Sequence, residues 1–371
     1  METIPTPTET ELNIKLWRIH NLLEQSGLDA LLLRQTSNFA WATCGADSHI
    51  NTADSMGIAS LLITRTDHFV LTNNIEAVRL MREEGLAGQE WEFNISPWYS
   101  GKDQILELTR GMKLGVDTCF SDALDLSDEV ASLRSQLTIE EGKRFRELGA
   151  LCTLGMKQAV DAVRPGMTEY EIAGVLSQAV ESRGAQAIVN LVAADERIFS
   201  YRHPLPTSKK LQQYAMLVLC GRKWGLICSL TRLIHFGKLP DEVRQKGGLI
   251  AQIDAEMIAA TRPNNTLGDV FQKAQAAYAY AGFPDEWQLH HQGGSTGYAP
   301  REITATPEST QPILPGQAFA WNPSITGVKS EDTILVGDRS NEIITEMADW
   351  PTIDVQINDQ IIRRPTILEK E

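Results

Sequence analysis

Cysteine, basic residues and long apolar runs are all in short supply here, and each shortage excludes something. The five cysteines (Cys44, Cys119, Cys152, Cys220, Cys228) are odd in number, scattered, and form no C-x-x-C pair. They argue against a disulfide framework and read as small buried residues of a reducing compartment. No apolar run approaches the ~20 residues that a membrane span requires. The Met1 end, with Glu2, Glu9 and Glu11, lacks the basic and apolar segments of a secretory signal. A cytoplasmic location is the expectation. Lys and Arg number 34 against 48 Asp and Glu, a formal net charge of −14. That deficit of base argues against a phosphate-neutralising surface and against adsorption to anionic lipid, so neither nucleic acid nor membrane is an expected partner.

What is present is a chain of 371 residues, 42% hydrophobic and 22% charged. That composition is ordinary for a globular protein, and the length allows two or three domains at roughly 150 residues each. The surplus of acid supplies carboxylates in plenty for a metal or acid–base site, a possibility to be tested position by position.

Thr8 and Glu11 have capping-box spacing ahead of Leu12, Leu16, Ile19 and Leu23, which predicts an amphipathic helix stopped at Gly27. Ala30–Leu33, Ala59–Ile63 and His68–Leu71 read as strands, a helix is expected from Ile75 to Glu84, and Lys113–Val116 reads as a short strand. This alternation over residues 1–135 predicts an α/β domain. A second domain, 138–371, opens with Thr138 and Glu141 and a long helix to about Val163. Arg164-Pro165, Thr168 and Gly184 recur as Arg262-Pro263, Thr266 and Gly282, all at an offset of 98 residues. Four matches in register suggest a duplicated helix–turn–helix unit, although two helices with similar caps would read the same. Ala215–Cys220 and Leu226–Ile234 read as a hairpin about Gly221–Gly225, with Gln317–Trp321 and Thr333–Val336 as later strands of one sheet. Helix pairs over such a sheet predict an α+β domain.

Several phrases resemble the creatinase, prolidase and methionine aminopeptidase superfamily. They are Gly27–Leu32, Asn38–Thr43, Arg164–Glu169, His203–Thr207, Ser229–Arg232, Leu314–Phe319 and Ser330–Thr333, in order along nearly the whole chain. The resemblance implies a creatinase-like N-terminal domain followed by a pita-bread domain with internal pseudo-twofold symmetry. It implies further a homodimer in which the N-terminal domain of one copy caps the pocket of the other.

Most peptidases of this superfamily hold two divalent metals with two Asp, one His and two Glu, which neutralise and bridge the ions and acidify a water. The resemblance lays those positions on Val218, Ser229, His291, Asn322 and Glu331, and a second family histidine on Tyr298. Three ligands are thus a hydrocarbon, a hydroxyl and an amide, and no metal pair or other cofactor is expected. A single zinc on Cys220, Cys228, His235, His290 or His291 has the right ligand types, but buried sheet cysteines explain the same residues. Creatinase implies a metal-free route through a histidine matched here by His203, yet its two glutamates fall on Thr231 and Asn322.

Two functions follow as expectations. One is a non-catalytic or strongly divergent member whose polar pocket binds a small carboxylate-bearing or peptide-like ligand. The other is a metal-independent hydrolase of a carbon–nitrogen bond, with His203 as general base, His291 beside it and Glu331 orienting it. Arg301 resembles the arginine with which creatinase holds a carboxylate, and a guanidinium fork suits that task. Tyr298, Asn322, Ser229 and Thr231 would supply further polar contacts. Each residue has a plainer reading. Arg301 has Glu302 adjacent, His203 precedes a Pro-rich loop, and His291 fits a core. Asn322 fits a strand-end cap, Glu331–Asp332 fits a solvated turn, and Ser229 and Thr231 merely share one strand face.

Overall fold

The computed structural model describes residues 10–100 and 104–371, which divide into a unit ending at Glu140 and a unit from Glu141 to Glu371. In the first unit, α1 (Glu11–Ser26), β1 (Ala30–Gln35), α2 (Thr36–Ala42), β2 (Met56–Thr64) and β3 (His68–Asn73) are followed by α3 (Ala77–Arg82) and β4 (Glu92–Ser96). Then come α4 (Gln104–Leu108), β5 (Leu114–Val116), β6 (Leu124–Asp125) and α5 (Ser127–Ser135). The strands form one mixed sheet in the order β4-β3-β2-β1-β5-β6. Ala30–Leu33 is central and fully buried, as a continuous apolar run predicts. Thr8 lies outside the described residues. The cap on α1 is Thr10, whose hydroxyl accepts from the Asn13 amide, and Gly27 closes the helix at φ 64°. The helix expected from Ile75 is shorter and starts at Ala77, because Asn73 caps the amides of Ile75 and Glu76 in a preceding turn.

The second unit runs α6 (Ile139–Ala162), α7 (Glu169–Glu181), β7 (Gln186–Ala194), α8 (Glu196–Ser200), β8 (Tyr214–Lys223) and β9 (Leu226–Phe236). It continues with α9 (Asp241–Ala260), α10 (Leu267–Tyr280), β10 (Gly293–Thr296), β11 (Ile303–Thr304) and β12 (Ala318–Trp321). The last elements are β13 (Ser324–Ile325), β14 (Val328–Lys329), β15 (Asp332–Val336), β16 (Asn341–Ile343), β17 (Thr352–Ile357), β18 (Gln360–Pro365) and β19 (Leu368–Lys370).

The duplication is visible in the backbone. Thr168 and Thr266 each close a capping box, with Glu171 and Asp269 at the third helical position. Gly166 and Asn264, also 98 residues apart, both take positive φ, at 90° and 78°. Gly184 and Gly282 end the paired helices at 77° and 84°. The β8–β9 hairpin is longer than expected, and its turn is Trp224-Gly225, both at positive φ as tight hairpin loops require. The later strands do not extend that sheet. They form a separate five-stranded sheet, β11-β10-β12-β15-β16, beside the four-stranded β19-β9-β8-β7. The Thr231–Glu331 bridge and hydrogen bonds between Ser229 and Thr333 join the two. The polar residues singled out in the sequence gather around that bridge.

Candidate functional site

Glu331 occupies the join. Its neighbours Ser330 and Asp332 are fixed below by a buried network, in which Arg364 binds Asp254 at 2.6 Å and Asp332 at 2.8 Å. Arg232 binds the other Asp332 oxygen at 2.8 Å, and Ser330 donates to Asp254 at 2.5 Å. Two arginines against two aspartates leave no net charge, and the pairs are satisfied. With both flanking residues clamped, the Glu331 side chain is presented on the opposite face of the strand. There Thr231 donates to it at 2.6 Å, Lys329 lies 3.0 Å away and Arg301 3.1 Å away. Burial by itself would raise the Glu331 pKa. The two cations and the hydroxyl outweigh it and hold the carboxyl at about 2.

The histidines arrive on two loops. His203 follows Arg202, which pairs with Glu286 and donates to the Thr326 hydroxyl at 3.0 Å. Glu286 also accepts from the Thr326 amide and hydroxyl, so one carboxylate ties the His203 loop to the segment preceding His290. Gln292 is fully buried. It donates to the carbonyls of Trp287 and His290 and accepts from the Tyr278 hydroxyl, which fixes the His290–His291 backbone. His290 Nε2 then lies 3.0 Å from His203 Nε2. The His290 ring stacks on His291 at 4.4 Å between centroids and meets His203 edge-on at 4.7 Å. His290 is buried, while His203 and His291 are exposed. Burial, then Lys329, pushes the His203 and His290 pKa values down, His290 to about 2. Burial, then Arg301, pushes His291 down to about 4. All three imidazoles are therefore neutral at pH 7.

The remaining expectations fare unevenly. Glu331 does not orient His203 through a hydrogen bond; His290 takes that place, because Glu331 is engaged by Lys329, Arg301 and Thr231. Arg301 pairs with Glu331, and its neighbour Glu302 instead accepts from the Tyr298 and Ala299 amides. Tyr298 is buried and donates its hydroxyl to Glu141 at 2.6 Å. Ser229 is buried against Cys220 Sγ at 3.2 Å, and Thr231 serves Glu331. Asn322 stands one residue beyond the Trp321–Asp332 pair, beside Glu331, with its side-chain oxygen buried and unpartnered. Arg301 Nε and His290 Nδ1 are likewise buried without partners. Lys329 and His290 were not singled out as pocket residues. Lys329 had a readable signal, since it sits two positions before Glu331 in an extended run and so shares its face.

Two divalent ions do not fit these residues. Val218 and Ser229 lie on β8 and β9 opposite Thr231 and Cys220, offering a methyl-lined surface and an engaged hydroxyl. Asn322 is a neutral amide, and both Glu331 oxygens already serve protein donors.

A mixed α/β unit followed by a duplicated helix-and-sheet unit, with a polar cluster where its two sheets join, defines a two-domain protein of the pita-bread type. The chain belongs to metallopeptidase family M24, whose model matches residues 143–338. It is similar to an uncharacterized peptidase, YqhT, of Bacillus subtilis, 22% identical over 90% of this chain and 98% of that protein. An uncharacterized peptidase of Staphylococcus epidermidis is 23% identical over 60% of this chain, and that match spans 66% of the relative's own length. The prolidase of Pyrococcus horikoshii OT3 has the same fold, with a TM-score of 0.77 at 17% identity over 90% of this chain and 98% of that one. Among the described residues, no helix is long and apolar enough to cross a membrane.

Proposed function

We propose that this chain is a strongly divergent M24 protein that binds a small carboxylate-bearing or peptide-like ligand where the superfamily resemblance implies a metal pair. The observation that carries this reading is the pairing of two cations, Arg301 and Lys329, with a single carboxylate, Glu331, in a buried setting. The cluster retains one surplus positive charge beside neutral imidazoles, which favours an anion. Arg301 Nε is an unpartnered donor for a ligand carboxylate, and Asn322 Oδ1 an unpartnered acceptor for an amide N–H. The expected result is thermal stabilisation by one class among dipeptides, Xaa-Pro peptides and N-amidino amino acids, lost in Arg301→Ala and partly kept in Arg301→Lys. Stabilisation that survives Arg301→Ala undiminished, or none by any of these classes, contradicts the reading.

The hydrogen bond between His203 and His290 favours a second reading, hydrolysis of a carbon–nitrogen bond in such a ligand. A neutral His203 would take a proton from the attacking water and return it to the leaving nitrogen. Turnover abolished by His203→Ala supports it, and binding without turnover supports the first. We also propose a cytoplasmic homodimer, on the strength of the free cysteines and of the superfamily resemblance. Solution scattering from a monomer would remove the dimer.

A further inference from the structure

We propose that His203, His290 and His291 form a mononuclear site for a borderline divalent ion of the zinc, nickel or copper type. The site lies outside the family's carboxylate set and shares with it only the position assigned to His291. One ligand atom from each ring falls within 4.8 Å of the other two. Tetrahedral zinc with Zn–N bonds of about 2.0–2.1 Å sets its nitrogens roughly 3.4 Å apart. His203 and His290, at 3.0 Å, are already inside that spacing. Completing the spacing asks the exposed rings of His203 and His291 to shift by the order of 1 Å.

Three further observations point the same way. Both loops are held by partners other than the rings: Glu286 ties the His203 loop through Arg202 and Thr326, and Gln292 ties the His290–His291 backbone. The ring nitrogens are left for other use. Among the described residues, no carboxylate or carbonyl is hydrogen-bonded to any of the three imidazoles, and the one ring–ring bond joins two of them. His235, by contrast, is satisfied by the Gly237 carbonyl at 3.1 Å.

The charges facing the rings are Lys329, Arg301 and Glu331. Their net positive charge weakens any cation site. The all-imidazole ligand set selects against hard oxygen-seeking ions, which gain little from nitrogen, and for ions that bond nitrogen strongly. The positive charge also favours an anion in the open position that three protein ligands leave. The inference goes beyond the proposed binding function and does not depend on it, because an ion on the histidines and a carboxylate on Arg301 are separable; an ion on His203 would occupy the nitrogen that the hydrolytic reading uses as its base.

The test uses the full chain, freed of any affinity tag and stripped with a chelator, titrated with zinc by calorimetry and with Co(II) by visible absorption. The expected result is one equivalent bound, with the intense absorption of low-coordinate Co(II). Loss of a ligand should weaken binding by about a hundredfold or more, beyond the roughly 10–100-fold typical of losing an outer-shell partner. This is expected in His290→Ala and, with less risk to folding, in the exposed His291→Gln. Arg301→Ala should leave the cobalt spectrum in place while abolishing carboxylate binding, which separates this inference from the proposed function. Absence of binding to the wild-type chain, or one equivalent bound equally well by the histidine variants, overturns the site.

Discussion

Glu331 shows how a lone buried carboxylate is held between two cations. Its charge is compensated by Lys329 and Arg301, and its position is fixed by flanking residues in a buried network of their own. Glu331→Gln leaves two buried cations short of a partner and should cost about 3–5 kcal/mol in urea unfolding at pH 7. The pH dependence has a definite sign. The folded carboxyl titrates at about 2 against an ordinary value of 4.5, so its contribution is complete above pH 4.5 and is lost as pH falls toward 2. The gap between wild type and Glu331→Gln should therefore narrow over that window, and a gap that widens there refutes the pairing. At this scale the sequence was half legible. Glu331, Arg301 and His203 announced themselves through motif position. The partnership of Glu331 with Lys329 needed the strand face, and that of His203 with His290 needed two loops brought together by Glu286. Tyr298 and Ser229 were drawn toward the pocket by position in a motif, but their hydroxyls are engaged by Glu141 and Cys220.

At the scale of the element, the two halves of the second unit repeat their local chemistry. Thr168 and Thr266 cap α7 and α10 through the same reciprocal bonds. Thr168→Ala and Thr266→Ala should each cost about 1 kcal/mol by denaturant unfolding, with similar values. A cost confined to one of them would break the equivalence. The close approach of β10 to β12 is a sharper constraint. Gly293 sits at φ 103°, and a Cβ there would meet the Ala320 carbonyl oxygen at 2.2 Å. Gly293→Ala should lower the melting temperature and disturb the adjoining His290–His291 segment, whereas Gly248→Ala in α9, where a Cβ meets nothing, should be neutral or stabilising. The caps of α7 and α10, the Pro turns and the long helices were readable because their signals are local, whereas the α1 cap falls on Thr10. The separate five-stranded sheet was not readable, because its strands span two to five residues and their pairing is decided by tertiary contacts. The extra hairpin length escaped for a related reason, since Arg222 and Lys223 are polar residues that pair within the ladder.

For the whole molecule, the net charge of −14 and the electrostatics of the site have opposite signs. The pocket concentrates Arg301, Lys329 and three neutral imidazoles around one compensated carboxylate. The chain belongs to family M24, and three of the five positions where the superfamily resemblance implies metal ligands are occupied by Val218, Ser229 and Asn322. The measurement that addresses this most directly is the metal content of the purified full chain by elemental analysis, before and after loading with excess zinc, manganese or cobalt. The account predicts at most one tightly held equivalent, and none in a variant lacking His203 and His290. Two equivalents retained per chain, or any tightly held pair that survives removal of those histidines, would contradict it.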